Sequence, residues 1–421
     1  MSFDIITFVI SPRKPQSIQA VYLSLVLGNT LAASFIWGIN TIFLLDAGLT
    51  NLQAFAANAF FTLGEVIFEI PTGIIADTFG RRVSYLLGAF TLTVSTLLYL
   101  YMWRIHGPFW GWAASSILLG LGFTFFSGAL EAWLVDGLKA TNFKGSLDSV
   151  FAKGQIAGGA AMLIGSIAGG VIAQLTNLGV PYILRSVVLI LNFATAFFLM
   201  KDLGFKPKRM GQPIKEMEKI FVASIDNGLK NPPVRWLMIA APFVSGVSFY
   251  IFYALQPFLL QLYGNNKAYG IAGLVAAIAA TAQITGGITA PHLKKLFKTR
   301  TSALITGTLF AGIILIAVSL VSNFLLVLLL IFLWGLVFAA VSPIRQAYIN
   351  GIIASEQRAT VLSFDSMMGS LGGIFIQPVL GRAADVWGYS TSYLFASFFQ
   401  FAALPFIFLA KKEKAKSDPV Q

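Results

Sequence analysis

Twelve stretches of this chain are each mainly apolar for about 20 residues or more, enough to cross the roughly 30 Å of hydrocarbon in a lipid bilayer. They lie near 17–45, 51–76, 82–103, 109–138, 149–176, 181–200, 234–262, 268–291, 300–320, 323–350, 359–384 and 389–410. In lipid, backbone N–H and C=O groups must be satisfied within a helix or a closed barrel. These runs are too long and continuous for barrel strands, so they predict an all-α membrane protein of twelve transmembrane helices. Gly, Ser and Asn inside them would weaken a soluble helix, but in lipid small residues let helix backbones approach closely. Composition agrees: the 421 residues are 57% hydrophobic and 11% charged, against roughly 25% charged in a soluble domain.

Several chemistries are excluded at this stage. The chain has no cysteine, so no disulfide framework, thiol nucleophile or cysteine-held metal is expected. Its two histidines, His106 and His292, fall near helix ends on opposite faces, and no metal site is expected. There is no nucleotide loop and no Ser/His/Asp set, so neither an enzyme nor a cofactor is expected. The net charge of +12 is dispersed among the spans, which speaks for topology rather than nucleic acid. The N-terminal MSFDIITFVISPRKPQ carries its basic residues after its apolar run, the reverse of a secretory signal, and reads as a cytoplasmic lead-in.

Lys and Arg set the expected orientation. One set of connections holds Arg13, Lys14, Arg81, Arg82, Lys139, Lys144, Lys206, Lys208, Arg209, Lys215 and Lys219, then Lys294, Lys295, Lys298, Arg300, Arg358 and the tail lysines. The alternate connections hold Arg104, Arg185, Lys267 and Arg382, singly. That asymmetry puts both termini in the cytoplasm.

The longest polar segment, Lys201 to Pro233, separates two groups of six spans. Ile214, Met217, Ile220 and Phe221 recur there at helical spacing, which predicts an amphipathic helix on the membrane surface. The expected organisation is therefore a six-helix bundle over 1–200, a linker over 201–233, a second six-helix bundle over 234–411 and a cytoplasmic tail over 412–421. The halves resemble each other: EAWLVDGLKATNFKG from Glu131 can be laid on RQAYINGIIASEQRA from Arg345, and GGVIAQL near Gly170 parallels GRAADVW near Gly381. Such similarity implies parallel repeats about an axis along the membrane normal, with a site between them.

Between spans two and three stands Gly73-Ile74-Ile75-Ala76-Asp77-Thr78-Phe79-Gly80-Arg81-Arg82, preceded by FEIPT. The pattern GxxxDxxGRR resembles the cytoplasmic loop signature of the major facilitator superfamily, and most of all its bacterial drug- or metabolite-proton antiporters. By itself the loop predicts Gly73 packed closely on a neighbouring helix and Gly80 in a tight turn. The resemblance further implies an inner latch, with Asp77 against the start of span eleven and Arg81 against Asp136. The antiporter signature in span five is partial, because Ile164-Gly165-Ser166 occupies the place of its expected proline. The matching loop of the second half, Gly286 to Arg300, keeps glycine and basic residues but has no aspartate.

A charge at membrane depth costs at least ~2.5 kcal/mol, so each needs a reason. Glu65 lies near mid-span on a stripe with Asn58 and Thr72. Burial favours the neutral form of a carboxyl group, which makes Glu65 the candidate for proton coupling; a structural bond to a neighbouring helix is the competing role. Glu131 and Arg345 occupy equivalent places in the repeats, as do Lys153 and Asp365; they are expected to pair for gating or structure, as Glu131–Lys153 and Arg345–Asp365 or as cross-bundle pairs closing the inner gate, with direct solute contact as the alternative. Asn29, Trp37 and Asn40 in span one, Tyr253 and Gln256 in span seven, Trp334 and Phe338 in span ten, and Gln377 in span eleven are the candidate cavity lining. The combined expectation is a secondary transporter that moves a small organic solute by alternating access, as a functional monomer in a bilayer. Proton-coupled efflux of a drug-like or amphipathic metabolite is the leading form; proton-coupled import and uncoupled facilitation are the alternatives. A channel would need pore rings, usually from symmetric oligomers.

Overall fold

The computed structural model describes residues 14–205, 207, 222, 225–354 and 358–420. The expected amphipathic helix around Ile214, Met217, Ile220 and Phe221 lies outside the described residues, as do Arg13, Lys206, Lys208, Arg209, Lys215 and Lys219. Fourteen α-helices form the described bundle: α1 Pro15–Trp37, α2 Asn40–Asp46, α3 Asn51–Phe79, α4 Arg81–Arg104, α5 Phe109–Thr124, α6 Ala129–Ala140 and α7 Leu147–Leu175 come first. They are followed by α8 Gly179–Leu199, α9 Pro232–Tyr263, α10 Tyr269–Lys294, α11 Arg300–Leu320, α12 Phe324–Asn350, α13 Arg358–Ala402 and α14 Leu404–Lys412.

Eleven helical segments among the described residues are long and apolar enough to cross a membrane, and the last, Val361–Lys412, is 52 residues long. Gly388, at φ 80°, breaks that segment within α13, so it makes two passes and the spans number twelve. Span one is the pair α1–α2, and span four is α5–α6, broken where Gly128 takes a left-handed conformation at φ 66°. Starts are marked by side chains that satisfy orphan N–H groups. Thr50 and Gln53 close a reciprocal capping box on α3, and Ser146, Thr299 and Asn323 cap α7, α11 and α12. Large apolar side chains such as Phe198, Leu175 and Leu329 stand exposed, as a surface solvated by lipid requires.

Alternating passes bring the start of α1 and the end of α14 to one face, the terminal face; the opposite one is the far face. Four buried apolar clusters show how the halves relate. Towards the far face the clusters are shared: one joins Ile36, Ile39 and Tyr182 to Leu260, Ala268 and Ala272, and another joins Phe55 to Tyr250, Leu380 and Tyr393. Towards the terminal face they divide, one drawn from residues of the first half around Tyr22, Trp133 and Met200, the other from the second half around Leu237, Tyr348 and Ile407. The halves are therefore sealed together at the far face and part towards the terminal face.

The far-face seam is built on close backbone approach. A Cβ on Gly170 of α7 would come within 2.6 Å of the Tyr269 carbonyl at the start of α10, and one on Gly381 of α13 within 2.9 Å of the Asn51 carbonyl at the start of α3. Both glycines lie in the segments compared in the internal repeat, and each meets a span of the other half.

The tightest crossing lies inside the second half. A Cβ on Gly372 of α13 would sit 1.8 Å from the Pro242 carbonyl oxygen of α9. Backbone cannot yield as a side chain can, so Gly372→Ala is expected to cost about 1–3 kcal/mol or more by overpacking and to lower the melting temperature in detergent. Gly73→Ala, where a Cβ would meet nothing within 4 Å, is expected to leave it unchanged. Equal melting temperatures for the two variants would contradict the crossing.

Candidate functional site

Helix ends inside the bundle leave backbone groups that need partners, and Gln256 supplies one side chain for two of them. Fully buried on α9, it donates to the Trp37 carbonyl at 2.7 Å and accepts the Thr41 N–H at 2.9 Å. Gln256 is thus not free cavity lining, as expected, but a clamp across the halves at the break in span one. The other amides of that stripe are also engaged. Asn29 accepts from the Tyr85 hydroxyl at 2.8 Å and from Asn192 Nδ2 at 2.9 Å, while Asn40 donates to Asn58 at 2.8 Å and accepts from the Tyr182 hydroxyl at 2.9 Å. Both tie spans of the first half together; Asn29 and Trp37 are partly exposed, and Asn40 is buried.

Glu65 stands part-exposed near the middle of α3, its backbone so close to α5 that a Cβ on Gly120 would lie 2.8 Å from its nitrogen. Its carboxyl group is within electrostatic reach of Glu69 one turn along and of Tyr253 on α9, in the other half. Tyr253 in turn lies near Tyr99 and Tyr182, which flank Arg185. Glu69 is held separately and accepts the Ser127 hydroxyl at 2.7 Å at the break in span four.

Arg185 corrects the sequence reading. It is not a loop cation but lies inside α8 at 1% exposure. Its Nε donates to Thr96 Oγ1 at 3.0 Å, its Nη1 to the Ala32 carbonyl at 3.5 Å, and its guanidinium stands 5.8 Å over the Phe123 ring. These partners disperse its charge without a carboxylate.

Arg345 of α12 and Asp365 of α13 do pair, and bidentately, at 2.5 and 2.6 Å, with a third bond from Arg345 Nη2 to the Leu237 carbonyl at 3.1 Å. The fork geometry joins three spans in one arrangement. The pair borders a cavity of about 350 Å³ lined also by Ser245, Phe249, Gln346, Asn350 and Ser366. Beyond Arg345 a second cavity of about 130 Å³ reaches Thr308, Trp334, Phe338 and Gln400. Trp334 stacks on Phe338 with centroids 5.7 Å apart, and its Nε1, like Gln400 Oε1, is buried without a hydrogen-bond partner. Gln377 bonds through Nε2 to its own helix at Gly373, 2.9 Å, and its Oε1 is likewise unpartnered.

At the terminal face, Gly80 turns the chain at φ 111°, and a Cβ there would strike Asp202 at 2.3 Å. Arg82 donates its backbone N–H to Asp202 at 3.0 Å and its Nη2 to the Phe197 carbonyl at 2.5 Å. Burial pushes the Asp202 carboxyl above the usual carboxylate range, against the pull of the Arg82 N–H and the Arg82 and Arg81 charges. Two expectations fail. Arg81 pairs with Asp77 at 2.6 Å, one helical turn away, rather than with Asp136, and exposed Gly73 packs against no neighbouring helix. Residues 355–357, at the start of span eleven where Asp77 was expected to dock, lie outside the described residues. Nor does an ion pair join Glu131 to Lys153. Both are exposed where the halves part, and Glu131 sits in the first turn of α6, where the helix dipole favours a carboxylate.

Three functional candidates escaped the sequence reading: Arg185, Gln400 and the far-face residue Asp385. Arg185 had a usable signal, since it falls inside the apolar run 181–200. Gln400 takes its surroundings from other spans and nothing local marks it, whereas Asp385 stands inside the repeat segment GRAADVW, whose acidic residue was a usable signal.

The comparisons agree with this geometry. The Major Facilitator Superfamily family model matches residues 21–376 and 271–421. The multidrug resistance protein MdtG of Escherichia coli strain 536 is 26% identical over 330 residues, covering 76% of this chain and 75% of that protein, and the K12 strain's MdtG has the same identity and coverage. Among solved structures, the nucleoside transporter NupG superposes with a TM-score of 0.78 at 10% identity, covering 94% of this chain and 99% of its own. A bacterial homologue of the human lysosomal transporter Spinster, in an inward-facing and unoccupied conformation, reaches 0.72 at 16% identity over 96% and 98%. The chain belongs to the major facilitator superfamily and is an integral membrane transporter of that fold.

Proposed function

We propose that this transporter is a proton-coupled exporter of small amphipathic organic solutes, working by alternating access. The observation that carries the proposal is the asymmetric seam. The halves share buried clusters towards the far face and divide towards the terminal face, so a solute site between them is reachable from one side at a time. The cavities bordering Arg345, both lined by second-half residues, support a solute class. Their aromatic walls from Phe249, Trp334 and Phe338, with Arg345, Gln400 and Thr308 as polar points, suit an apolar body with a hydrogen-bonding or charged end. The relatives named multidrug resistance protein support the same class. The Lys and Arg distribution supports a terminal face, with both termini, on the cytoplasmic side, and the bacterial relatives support an inner membrane; on that reading the described state is inward-open. One chain contains both halves and acts as a monomer.

Glu65 is the coupling residue in this proposal, since a carboxyl group at that depth, within electrostatic reach of Tyr253 in the other half, can change charge as the site changes sides. The test uses proteoliposomes and a solute chosen because it raises the melting temperature of the purified protein, from a panel of amphipathic drugs and nucleosides. Glu65→Gln is expected to abolish accumulation driven by a pH gradient while solute exchange continues at the parental rate. Gradient-driven accumulation that survives the substitution removes Glu65 from the mechanism, and parental transport indifferent to the gradient points to a facilitator. A gradient that drives parental transport towards the terminal face marks an importer.

Arg345 and Asp365 form the charge pair beside the solute crevice. Removing one partner of a buried pair costs about 3–5 kcal/mol; the Arg345 side chain is 25% exposed, so Arg345→Ala is expected at the lower end. Adding Asp365→Ala should recover much of that loss in a thermal-unfolding assay. A double variant no more stable than the single one would show that the pair is not what the arginine contributes.

A further inference from the structure

A polar segment beyond the last span has little apolar surface to bury and would ordinarily trail in solvent. Here it turns back. α14 ends at Lys412, Lys414 takes a positive φ of 50°, and the chain then runs along the connection between α10 and α11. The Arg300 N–H donates to the Asp418 carbonyl at 2.7 Å and the Val420 N–H to the Lys298 carbonyl at 3.1 Å, with an antiparallel bridge between Thr299 and Pro419. Arg300 Nη1 adds bonds to the Pro419 carbonyl, at 2.8 Å, and to the Ser417 carbonyl.

Asp418 seats this strap and is only 5% exposed. Its Oδ1 accepts the Thr301 N–H and its Oδ2 the Thr301 hydroxyl, both at 2.8 Å. The N–H is an orphan donor at the positive end of α11, where a carboxylate is favoured. Ser417, next in the chain, bonds to a different span. Its hydroxyl donates to the Tyr348 carbonyl at 2.8 Å, and a Cβ on Gly351 would lie 2.6 Å from the Ser417 Cβ. The Tyr348 hydroxyl donates to the Ala410 carbonyl at 3.3 Å, and Glu413 accepts Trp236 Nε1 at 3.0 Å. The strap thus ties the end of span ten to the starts of spans seven and nine and to the end of span twelve.

Span ten is where such a grip matters. Pro343 stands inside α12 and has no N–H to give the carbonyl one turn back, so the helix bends easily there. The piece beyond it carries Arg345, Gln346 and Asn350 into the wall of the larger cavity. On one side that piece is held by the bonds from Arg345 to Asp365 and the Leu237 carbonyl; on another it is held by Ser417. We propose that the segment after α14 is a strap that sets the angle of span ten beyond Pro343, and that Asp418 is a positioning residue for the solute crevice. It acts through Ser417 and Tyr348 and does not touch the solute. The crevice part of the inference rests on the solute reading given above.

Because the chain has no cysteine, spin labels can be placed by substitution alone. A label on Lys416→Cys reads the strap. A pair on Ser322→Cys and Ala347→Cys, near the two ends of α12, reads its bend over about 37 Å at 1.5 Å per residue; all three positions are exposed. In lipid nanodiscs the parent is expected to show a restricted Lys416 label and a narrow α12 distance. Asp418→Ala should free the label and about double the width of the distance distribution. It should also weaken binding of the drug or nucleoside that most raises the parent's melting temperature, on the order of tenfold, the effect of about 1.4 kcal/mol. Asp418→Asn, which keeps one acceptor oxygen, should fall between the two, and it is read by the same criteria if Asp418→Ala does not accumulate as folded protein. A Lys416 label already mobile in the parent overturns the strap. A freed label with unchanged α12 distance and unchanged affinity overturns the positioning role. If Phe249→Ala, at the crevice wall, binds the compound as tightly as the parent, the solute reading fails and the positioning role with it. The α12 distances need no solute, so they tell that failure from a failure of the strap.

Discussion

Lipid gives a buried polar group no water to fall back on, and that constraint decides where the polar side chains of these spans go. In the first half Asn29, Asn40, Asn58, Tyr85, Tyr182 and Asn192 bond to one another across four spans. Each such bond fixes the register of two helices and contributes about 0.6–2 kcal/mol. Both halves keep buried polar atoms without a partner: Thr41 Oγ1, Asn58 Nδ2 and Ser166 Oγ in the first, Trp334 Nε1, Gln377 Oε1, Tyr393 OH and Gln400 Oε1 in the second. Trp334 and Gln400 border the crevice of span ten, where such free hydrogen-bonding capacity can serve a solute.

How far the sequence carried the reading follows from the range of each interaction. Twelve spans and the turn at Gly80 were legible because apolar length and loop chemistry are local. Arg345 and Asp365 were legible as a pair because opposite charges at membrane depth seldom stay apart. Glu131 and Lys153 satisfied the same rule on paper and did not pair, since both are exposed where the halves separate. Arg185 was misread because a cation near the start of a span looks the same whether it reaches the interface or turns inward. What decides it is Thr96, Ala32 and Phe123, on three other spans. Gln256 was misread because the break at Gly38, which releases the backbone groups it binds, is not marked by a proline.

The kinds of bond are divided by task. The ion pairs Arg81–Asp77 and Arg345–Asp365 each stay within one half. Across the far-face seam the bonding is different: side-chain acceptors Gln256, Gln174 and Asp385 meet backbone N–H groups at the starts of α2, α10 and α3. A buried ion pair across the seam would leave two desolvated charges when the halves parted, a cost of several kcal/mol per ion. A helix start leaves only N–H groups, which water solvates at little cost once the seam opens.

This division sets the size of the conformational problem. For two states to interconvert, the seam at one face must be worth only a few kcal/mol more than the seam that replaces it at the other. Small-residue contacts at Gly170 and Gly381 with a handful of N–H bonds meet that condition. Charge pairs confined within a half add rigidity to the moving parts and nothing to the barrier between them. The fold therefore separates what must stay rigid from what must let go, and it does so through where each polar group finds its partner.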